Sequence, residues 1–326
     1  PTHPYAPGAD SPDPEGGPMA EIVVTEFMDE AALEGVAPSV LYDPTLVDDR
    51  DRMLAALASA RAVIVRNRTQ VDQALLDAAP DLRVVGRLGV GLDNIDLDAC
   101  AARGVVVRPA TGANTLSVAE YVISTAMTLV RGAYGSNAAM IAGTWPRGAL
   151  IGGELSGRVM GLFGFGGIAR AVAARARALG MSVIAHDPHV TDDDPAWTGV
   201  TPVSAEDLLA RADVLSLHVP LTAQTRDMID GAALAEMKPG AILINTARGG
   251  VVDEAELCAA LTQGTLGGAA LDVFATEPLT AEAGAMFEGV PNLILTPHIA
   301  GVTQEGNVRV STLTVANVLE ELGKAP

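Results

Sequence analysis

The sequence predicts an α/β protein built from two domains, each a doubly wound parallel sheet. Short apolar β-type runs alternate with helical patterns along two stretches of the chain, from Ile22 to Arg108 and again from Val159. Such alternation favours parallel strands covered by helices on both faces. The length of 326 residues suits two domains. With 49% hydrophobic and 19% charged residues, the chain can bury a sizeable core.

Residues 1–18 are rich in Pro, Gly and Asp and lack the charged start and apolar centre of a secretory signal. They read as a disordered tail or tag, with Met19 as a sensible native start. The first series then offers strands at Ile22–Thr25, Val40–Tyr42, Ala62–Val65, Val84–Gly86 and Val105–Arg108. Helical patterns lie between them, at Asp51–Ala60 and Leu97–Arg103. A long helix follows. Ser117 and Glu120 make an S-x-x-E capping-box pattern, and Val118, Val122, Met127 and Leu129 are expected near one face. Arg131–Gly157 is less regular.

The second series offers strands at Val159–Phe163, Ser182–Ala185, Val214–Val219, Ala241–Asn245, Ala269–Val273 and Leu293–Thr296. The helix Ile168–Leu179 should stop at Gly180. Ser204 with Asp207, and Asp253 with Glu256, look like N-caps followed by an acid three residues on. About Gln304–Leu322 reads as a closing amphipathic helix.

Charge narrows the function. There are 21 Lys+Arg against 40 Asp+Glu, a formal charge of −19. A surface this acidic repels nucleic acid. No apolar run approaches the ~20 residues of a membrane span. Only Cys100 and Cys258 occur, outside any C-x-x-C pair, so neither a disulfide framework nor a zinc site is expected, and a reducing cytoplasm is the expected home. An anionic ligand would have to be met by individual arginines.

The sharpest motif is strand, then Gly164-Phe-Gly166-Gly167-Ile168-Ala169, then helix. In that setting Gly164 permits the turn and Gly166 lets backbone approach a pyrophosphate. Ala169 allows close helix–strand packing. The N–H groups at Gly167 and Ile168 open the helix toward phosphate. Asp187 lies 23 residues beyond Gly164 (187 − 164), close to the ~20 expected of an acid that accepts from a ribose 2′-hydroxyl. No arginine follows within several residues, which favours NAD over NADP. His186 and His189 are spaced like a metal pair but lack further ligands, and no metal is expected.

Three later segments place polar groups just past apolar strands, where open α/β sheets bind ligands. They are Asn245–Gly250, Leu271–Pro278 and Thr296–Gly301. Arg248 can clamp a carboxylate bidentately. His298 can exchange a proton with a carbonyl or hydroxyl oxygen. Glu277 can orient the imidazole and favour its protonated form. Each also has a plain structural reading: a surface ion pair for Arg248, a loop acid for Glu277, a structural ring for His298.

With these motifs in view, the sequence resembles the NAD-dependent D-2-hydroxyacid dehydrogenase family over essentially Ile22–Leu322. The likeness is carried by Gly86-Arg-Leu-Gly-Val-Gly-Leu-Asp-Asn94, by G-F-G-G-I-A, by N-T-A-R-G-G-V-V-D-E from Asn245 and by T-P-H-I-A-G from Thr296. The resemblance implies that Arg248, Glu277 and His298 are catalytic. It implies cofactor contacts at the fingerprint and Asp187, and at Val219, Pro220, Thr246, Ala247, Arg248, Asp272, His298, Ala300 and Gly301. It also implies a Rossmann NAD domain, 114–301, inserted into a flavodoxin-like substrate domain, 19–113 with 302–326. The active site would then lie in a cleft closed by hinge motion, and the protein would be a homodimer, with Arg131–Gly157 as the candidate exchanged contact.

Within the family the likeness is to members acting on three-carbon acids with a distal anion, 3-phosphoglycerate or (S)-3-sulfolactate. Arg66 and Arg68 in Val65–Thr69, and Arg147 after Trp145-Pro146, are the expected distal-anion contacts. Val90 and Gly91 in Leu88–Gly91 would offer amides to the substrate carboxylate. The other reading of Arg66, Arg68 and Arg147 is that they merely offset the acidic surface. The chain ends soon after its last helix, so the regulatory domains of longer phosphoglycerate dehydrogenases, and serine feedback through them, are not expected. A broad glyoxylate or hydroxypyruvate reductase and an NAD-sensing corepressor remain alternatives.

Overall fold

The computed structural model describes residues 20–36, 38–191 and 193–324. The expectations for residues 1–18 and Met19 lie outside the described residues. The chain forms two compact units. One comprises the chain up to Thr111 together with the stretch from Asn307, and the other is Gly112–Gly306.

The first unit holds a five-stranded sheet of β1 (Ile22–Val24), β2 (Val40–Tyr42), β3 (Ala62–Val65), β4 (Val84–Arg87) and β5 (Val106–Pro109). The order is β2-β1-β3-β4-β5, with every pairing parallel. This is the flavodoxin-like order, which reverses between β1 and β3. Strands β1 and β3 are buried along their whole length, as expected where helices cover both faces. The closing helix Gln304–Glu321 brings Val318 and Thr314 against Gly86, where a Cβ would lie 2.6 and 2.9 Å from their methyl groups.

The second unit holds seven parallel strands: β6 (Val159–Phe163), β7 (Ser182–His186), β8 (Thr201–Pro202), β9 (Val214–Leu217), β10 (Ile242–Asn245), β11 (Gly268–Leu271) and β12 (Leu293–Leu295). The order β12-β11-β10-β9-β6-β7-β8 is the dinucleotide-fold order extended by one strand, with its reversal between β6 and β9. One side of this sheet is covered by the helices Thr115–Arg131 and Gly167–Ala178, through Val118, Val122, Ala126, Val172 and Ala176. The other is covered by Leu208, Leu234, Leu257 and Leu261.

Ser204 and Asp253 are N-caps as expected. Ser204 Oγ accepts from Asp207 N, and Asp253 Oδ1 accepts from Ala255 N and Glu256 N. Gly180, at φ +80°, follows the helix expected to stop there.

Two expectations for the long helix are corrected. It starts at Thr115 with Asn114 as N-cap. Ser117 is therefore inside it, and its hydroxyl hydrogen-bonds Thr303 Oγ1 (2.9 Å) instead of capping. Met127 is 46% exposed. It stands nine residues beyond Val118, half a revolution from the buried stripe at ~100° per residue. Ala126 takes the buried position instead. The edge strand β8 and the helix Gln73–Ala78 are additional to the expected elements.

Candidate active site

The reversal between β6 and β9 puts two loops side by side at the carboxyl ends of the strands. After β6, Gly164 turns at φ +86°, and a Cβ there would meet the His218 carbonyl oxygen at 2.5 Å. Only glycine fits. Gly166 then caps the helix Gly167–Ala178 without a side chain, and space around Gly166 and Gly167 is open to 4 Å. Side-chain-free, exposed glycines opening a helix suit a pyrophosphate.

Asp187 stands at the end of β7. Its Oδ2 accepts from Phe165 N (2.7 Å) and its Oδ1 from His189 N (2.9 Å). It thus ties the glycine loop to β7 and borders a cavity of about 230 Å³ lined by His186, Val190, Trp197, Pro202 and Val203. His186 Nδ1 is spent on the Val203 carbonyl (3.0 Å). Among the described residues no group of three or more His, Cys, Asp or Glu could hold a metal.

His218 follows β9 and lies 3.0 Å from Ser216 Oγ through Nε2. Burial lowers its pKa from 6.5 to about 4. The folded protein therefore keeps this ring neutral while the unfolded chain protonates it near pH 6.5. The stability this represents is complete above pH 6.5 and is lost as pH falls toward 4. It amounts to about 3 kcal/mol. In urea titrations, wild type is expected to lose about that much more than His218→Gln between pH 7 and pH 4. Parallel pH profiles would contradict it.

The catalytic candidates sit on the loops after β10, β11 and β12. After β10, Asn245 stitches its own turn: Oδ1 accepts from Ala247 N (3.0 Å) and Nδ2 donates to the Arg248 carbonyl (3.0 Å). Arg248 Nη1 donates to the Ala247 carbonyl (2.6 Å). Gly249 is pressed on the neighbouring loop, where a Cβ would lie 1.7 Å from the Phe274 carbonyl oxygen. The hydroxyl oxygen of Thr246 is buried with no hydrogen-bond partner among the described residues. An orphaned acceptor and donor at a strand end is what a cofactor-facing residue should show.

The loop after β11 carries Asp272 and Glu277. Asp272 is 1% exposed, and three donors converge on its carboxylate: Thr296 Oγ1 (2.6 Å), Ile299 N (2.8 Å) and Ala300 N (2.8 Å). Its carbonyl accepts from His298 N (2.8 Å). Tyr121 Oη lies 2.6 Å from Thr296 Oγ1 and extends the chain of bonds to the long helix. His298 is held in this collar at φ +53°, a left-handed conformation that costs a non-glycine residue energy and often marks function.

Held this way, His298 Nδ1 lies 2.8 Å from Glu277 Oε2, while Glu277 Oε1 accepts from Phe274 N (2.9 Å). Burial alone would raise the Glu277 pKa. The hydrogen bonds from His298 and Phe274, with the charges of His298 and Arg248, outweigh burial and lower it. The pair is therefore an ionised carboxylate hydrogen-bonded to one ring nitrogen of an imidazole, and the positive charge of Arg248 also favours that ionised carboxylate. Sequence reasoning missed Glu254, whose Oε1 accepts from Ala275 N (2.7 Å) and fixes the same loop from the preceding helix, Glu254–Gln263.

The distal-anion candidates differ among themselves. Arg66, in the first unit, donates to the Phe27 carbonyl and Asn307 Oδ1. Arg68 is ion-paired with Asp48 at the surface. Val90 is exposed in the loop after β4. In the second unit Arg147 is exposed beside exposed Trp145.

The chain is similar to known proteins over most of its length. The family model for the D-isomer specific 2-hydroxyacid dehydrogenase, NAD binding domain, matches residues 123–300. The (S)-sulfolactate dehydrogenase of Chromohalobacter salexigens is 58% identical over 308 residues, 94% of this chain and 99% of that protein. The D-3-phosphoglycerate dehydrogenase of Mycobacterium tuberculosis is 44% identical over 264 residues, 81% of this chain but 49% of that protein, so the chain spans about half its length. The solved D-lactate dehydrogenase of Aquifex aeolicus, complexed with NAD and lactic acid, superposes with a TM-score of 0.79 at 29% identity, over 93% of this chain and 97% of that one.

Proposed function

Because the chain belongs to the D-isomer specific 2-hydroxyacid dehydrogenase family and is an NAD-dependent oxidoreductase of 2-hydroxy acids, we propose that its substrate is (S)-3-sulfolactate and its product 3-sulfopyruvate, with 3-phosphoglycerate the nearest competitor. The observation that carries the chemistry is the His298–Glu277 pair at 2.8 Å, within electrostatic reach of Arg248. The substrate is supported by the 58% identity to a sulfolactate dehydrogenase across nearly its whole length.

NAD bound at the glycine loop would accept the hydride in oxidation, and NADH would supply it in reduction. The chain's own residues do the rest. Arg248 holds the substrate carboxylate with parallel N–H donors. His298 takes the hydroxyl proton in oxidation and returns it to the carbonyl oxygen in reduction. Glu277 stabilises the imidazolium and keeps the other ring nitrogen facing substrate. Asp187 accepts from the ribose hydroxyl and repels a 2′-phosphate, favouring NAD over NADP. Gly164, Gly166, Gly167 and Ile168 hold the pyrophosphate. Val219, Pro220, Thr246, Ala247, Asp272, Ala300 and Gly301 line the rest of the cofactor site. Val90 and Gly91 offer amides to the carboxylate, and Arg66 receives the tail, with Arg68 and Arg147 as lesser contributors.

The test is a substrate panel of sulfopyruvate, phosphohydroxypyruvate, hydroxypyruvate and glyoxylate, each with NADH and NADPH. Sulfopyruvate with NADH is expected to give kcat/KM at least about tenfold above every other combination, the worth of one charged contact. Equal values for all four acids would remove the distal-anion reading, and no turnover at all would favour a corepressor.

We also propose a homodimer through Arg131–Gly157. Its short helix Asn137–Ile141 leaves Met140 and Ile141 exposed, with Tyr134, Trp145 and Ile151 nearby in sequence and also exposed. Several large apolar side chains exposed in one segment suit a protein interface. Sedimentation equilibrium should return twice the chain mass of 33.4 kDa, and the single-chain mass would overturn it.

A further inference from the structure

The sheet of the first unit reverses its strand order between β1 and β3, so the loops leaving those two strands flank the place where open α/β sheets bind ligands. The loop after β1 carries Glu26, and the loop after β3 carries Arg66, Asn67, Arg68 and Thr69. Four consecutive amides from this second loop turn their N–H groups inward. Such a concavity binds anions, and in this protein it is filled from within. Glu26 Oε1 accepts from Arg66 N (2.8 Å) and Thr69 N (2.9 Å), and Oε2 accepts from Arg68 N (3.1 Å) and Asn67 N (3.3 Å). Glu26 is 4% exposed. Thr25 Oγ1 at 2.8 Å from Thr69 Oγ1, and Asn94 Nδ2 donating to the Thr69 carbonyl at 2.6 Å, brace the same loop.

The amides being taken, the loop can meet a substrate anion only with its side chains. Its two arginines are not equivalent. Arg68 is turned to solvent in a surface ion pair with Asp48. Arg66 lies over the Phe27 ring at 5.9 Å and donates to the Phe27 carbonyl (3.2 Å) and Asn307 Oδ1 (3.0 Å). These two bonds engage two of the five guanidinium N–H donors and fix the plane of the group. Burial lowers the Arg66 pKa, against the opposing charge of Glu26, so the cation is partly desolvated and gains from an anionic partner.

We propose that Glu26 is a positioning residue that sets the enzyme's choice of acid tail, by locking the loop so that Arg66 presents one oriented guanidinium to a singly charged tetrahedral oxyanion. A sulfonate carries one negative charge, whereas a phosphate monoester carries about 1.5 to 2 at pH 7. One guanidinium backed by a buried carboxylate matches the first and leaves the second with excess charge facing Glu26. This inference rests on the reading that the Arg66 loop meets the substrate's tail.

The measurement is kcat/KM for sulfopyruvate, phosphohydroxypyruvate and hydroxypyruvate in three variants. In Glu26→Gln the amide NH2 faces donor N–H groups where a carboxylate oxygen stood, and the charge is gone. The sulfopyruvate-to-hydroxypyruvate ratio should fall roughly tenfold, through KM, and the preference for sulfopyruvate over phosphohydroxypyruvate should narrow. Asn307→Ala removes only the Nη2 anchor and should lower the first ratio by about threefold or more. It decides the matter if Glu26→Gln does not fold. A structural role alone would depress all three substrates together, and that result in both variants overturns the proposal. Arg66→Gln separates the two layers. If it leaves the ratios unaltered, the tail reading itself fails. If it collapses them while Glu26→Gln and Asn307→Ala do not, the tail reading stands and the role of Glu26 falls.

Discussion

Replacing His298 by alanine is expected to lower oxo-acid reduction by ~10²–10⁴-fold, the usual worth of a positioned acid–base group. The geometry explains why no neighbour takes over. Among the described residues, Glu277 is the titratable group at hydrogen-bond distance from the ring; it meets the ring at Nδ1, on the edge away from Nε2, and its Oε1 stays tied to Phe274 N when the imidazole is gone. In wild type the hydrogen bond and charge of His298 help to lower the Glu277 pKa; the variant removes both and lets burial raise it, but the carboxyl then lies a ring's width from the oxygen it would have to protonate. The variant should also lose the pH dependence that proton transfer imposes. Reduction consumes a proton and oxidation releases one, so in wild type the two directions respond to pH with opposite sign. Glu277→Gln should fall between wild type and His298→Ala, because an amide can still orient the ring but no longer stabilises its cation. Single-turnover kinetics check both variants. Retention of more than about a tenth of wild-type turnover in His298→Ala would move the acid–base role elsewhere.

Much of this site was legible in the chain because its signals are local. Strand, glycine turn and helix occupy one continuous stretch from Val159 to Ala178, and caps such as Ser204 and Asp253 bond amides two or three residues away. What was not legible depends on long-range partners. Glu26 meets amides 40 to 43 residues away, and a lone glutamate after a strand has no pattern that announces this. Glu254 reads as an ordinary first-turn acid until the Ala275 amide is seen on it. Ser117 carried a genuine capping pattern, but its hydroxyl was claimed by Thr303, 186 positions on. The two-residue strand β8 is too short for alternation to show. The roles of Arg66 and Arg68 diverge for the same reason: the sequence shows two arginines two residues apart, and only the fold sets Asp48 against one and Phe27 with Asn307 against the other.

Arg248→Ala should cost about 10²–10³ in kcat/KM, since truncating one partner of a buried, hydrogen-bonded charge pair costs roughly 2–5 kcal/mol. The loss should be steep because the arginine's backbone is fixed on both sides. Asn245 holds its carbonyl, and Gly249 lies against the Phe274 carbonyl, so the turn cannot bring another cation into its place. Arg248→Lys separates charge from shape. A lysine keeps the positive charge but presents a point donor in place of a planar fork, so it should recover only a small part of the loss. Glu277 supplies a second readout. The Arg248 charge helps to lower its pKa, so removing that charge moves the Glu277 pKa upward and narrows the acid side of the pH–rate profile in Arg248→Ala but not in Arg248→Lys. Wild-type kcat/KM for sulfopyruvate in the alanine variant would show that the substrate carboxylate is held by other groups, and the role of Arg248 would then reduce to its charge beside Glu277.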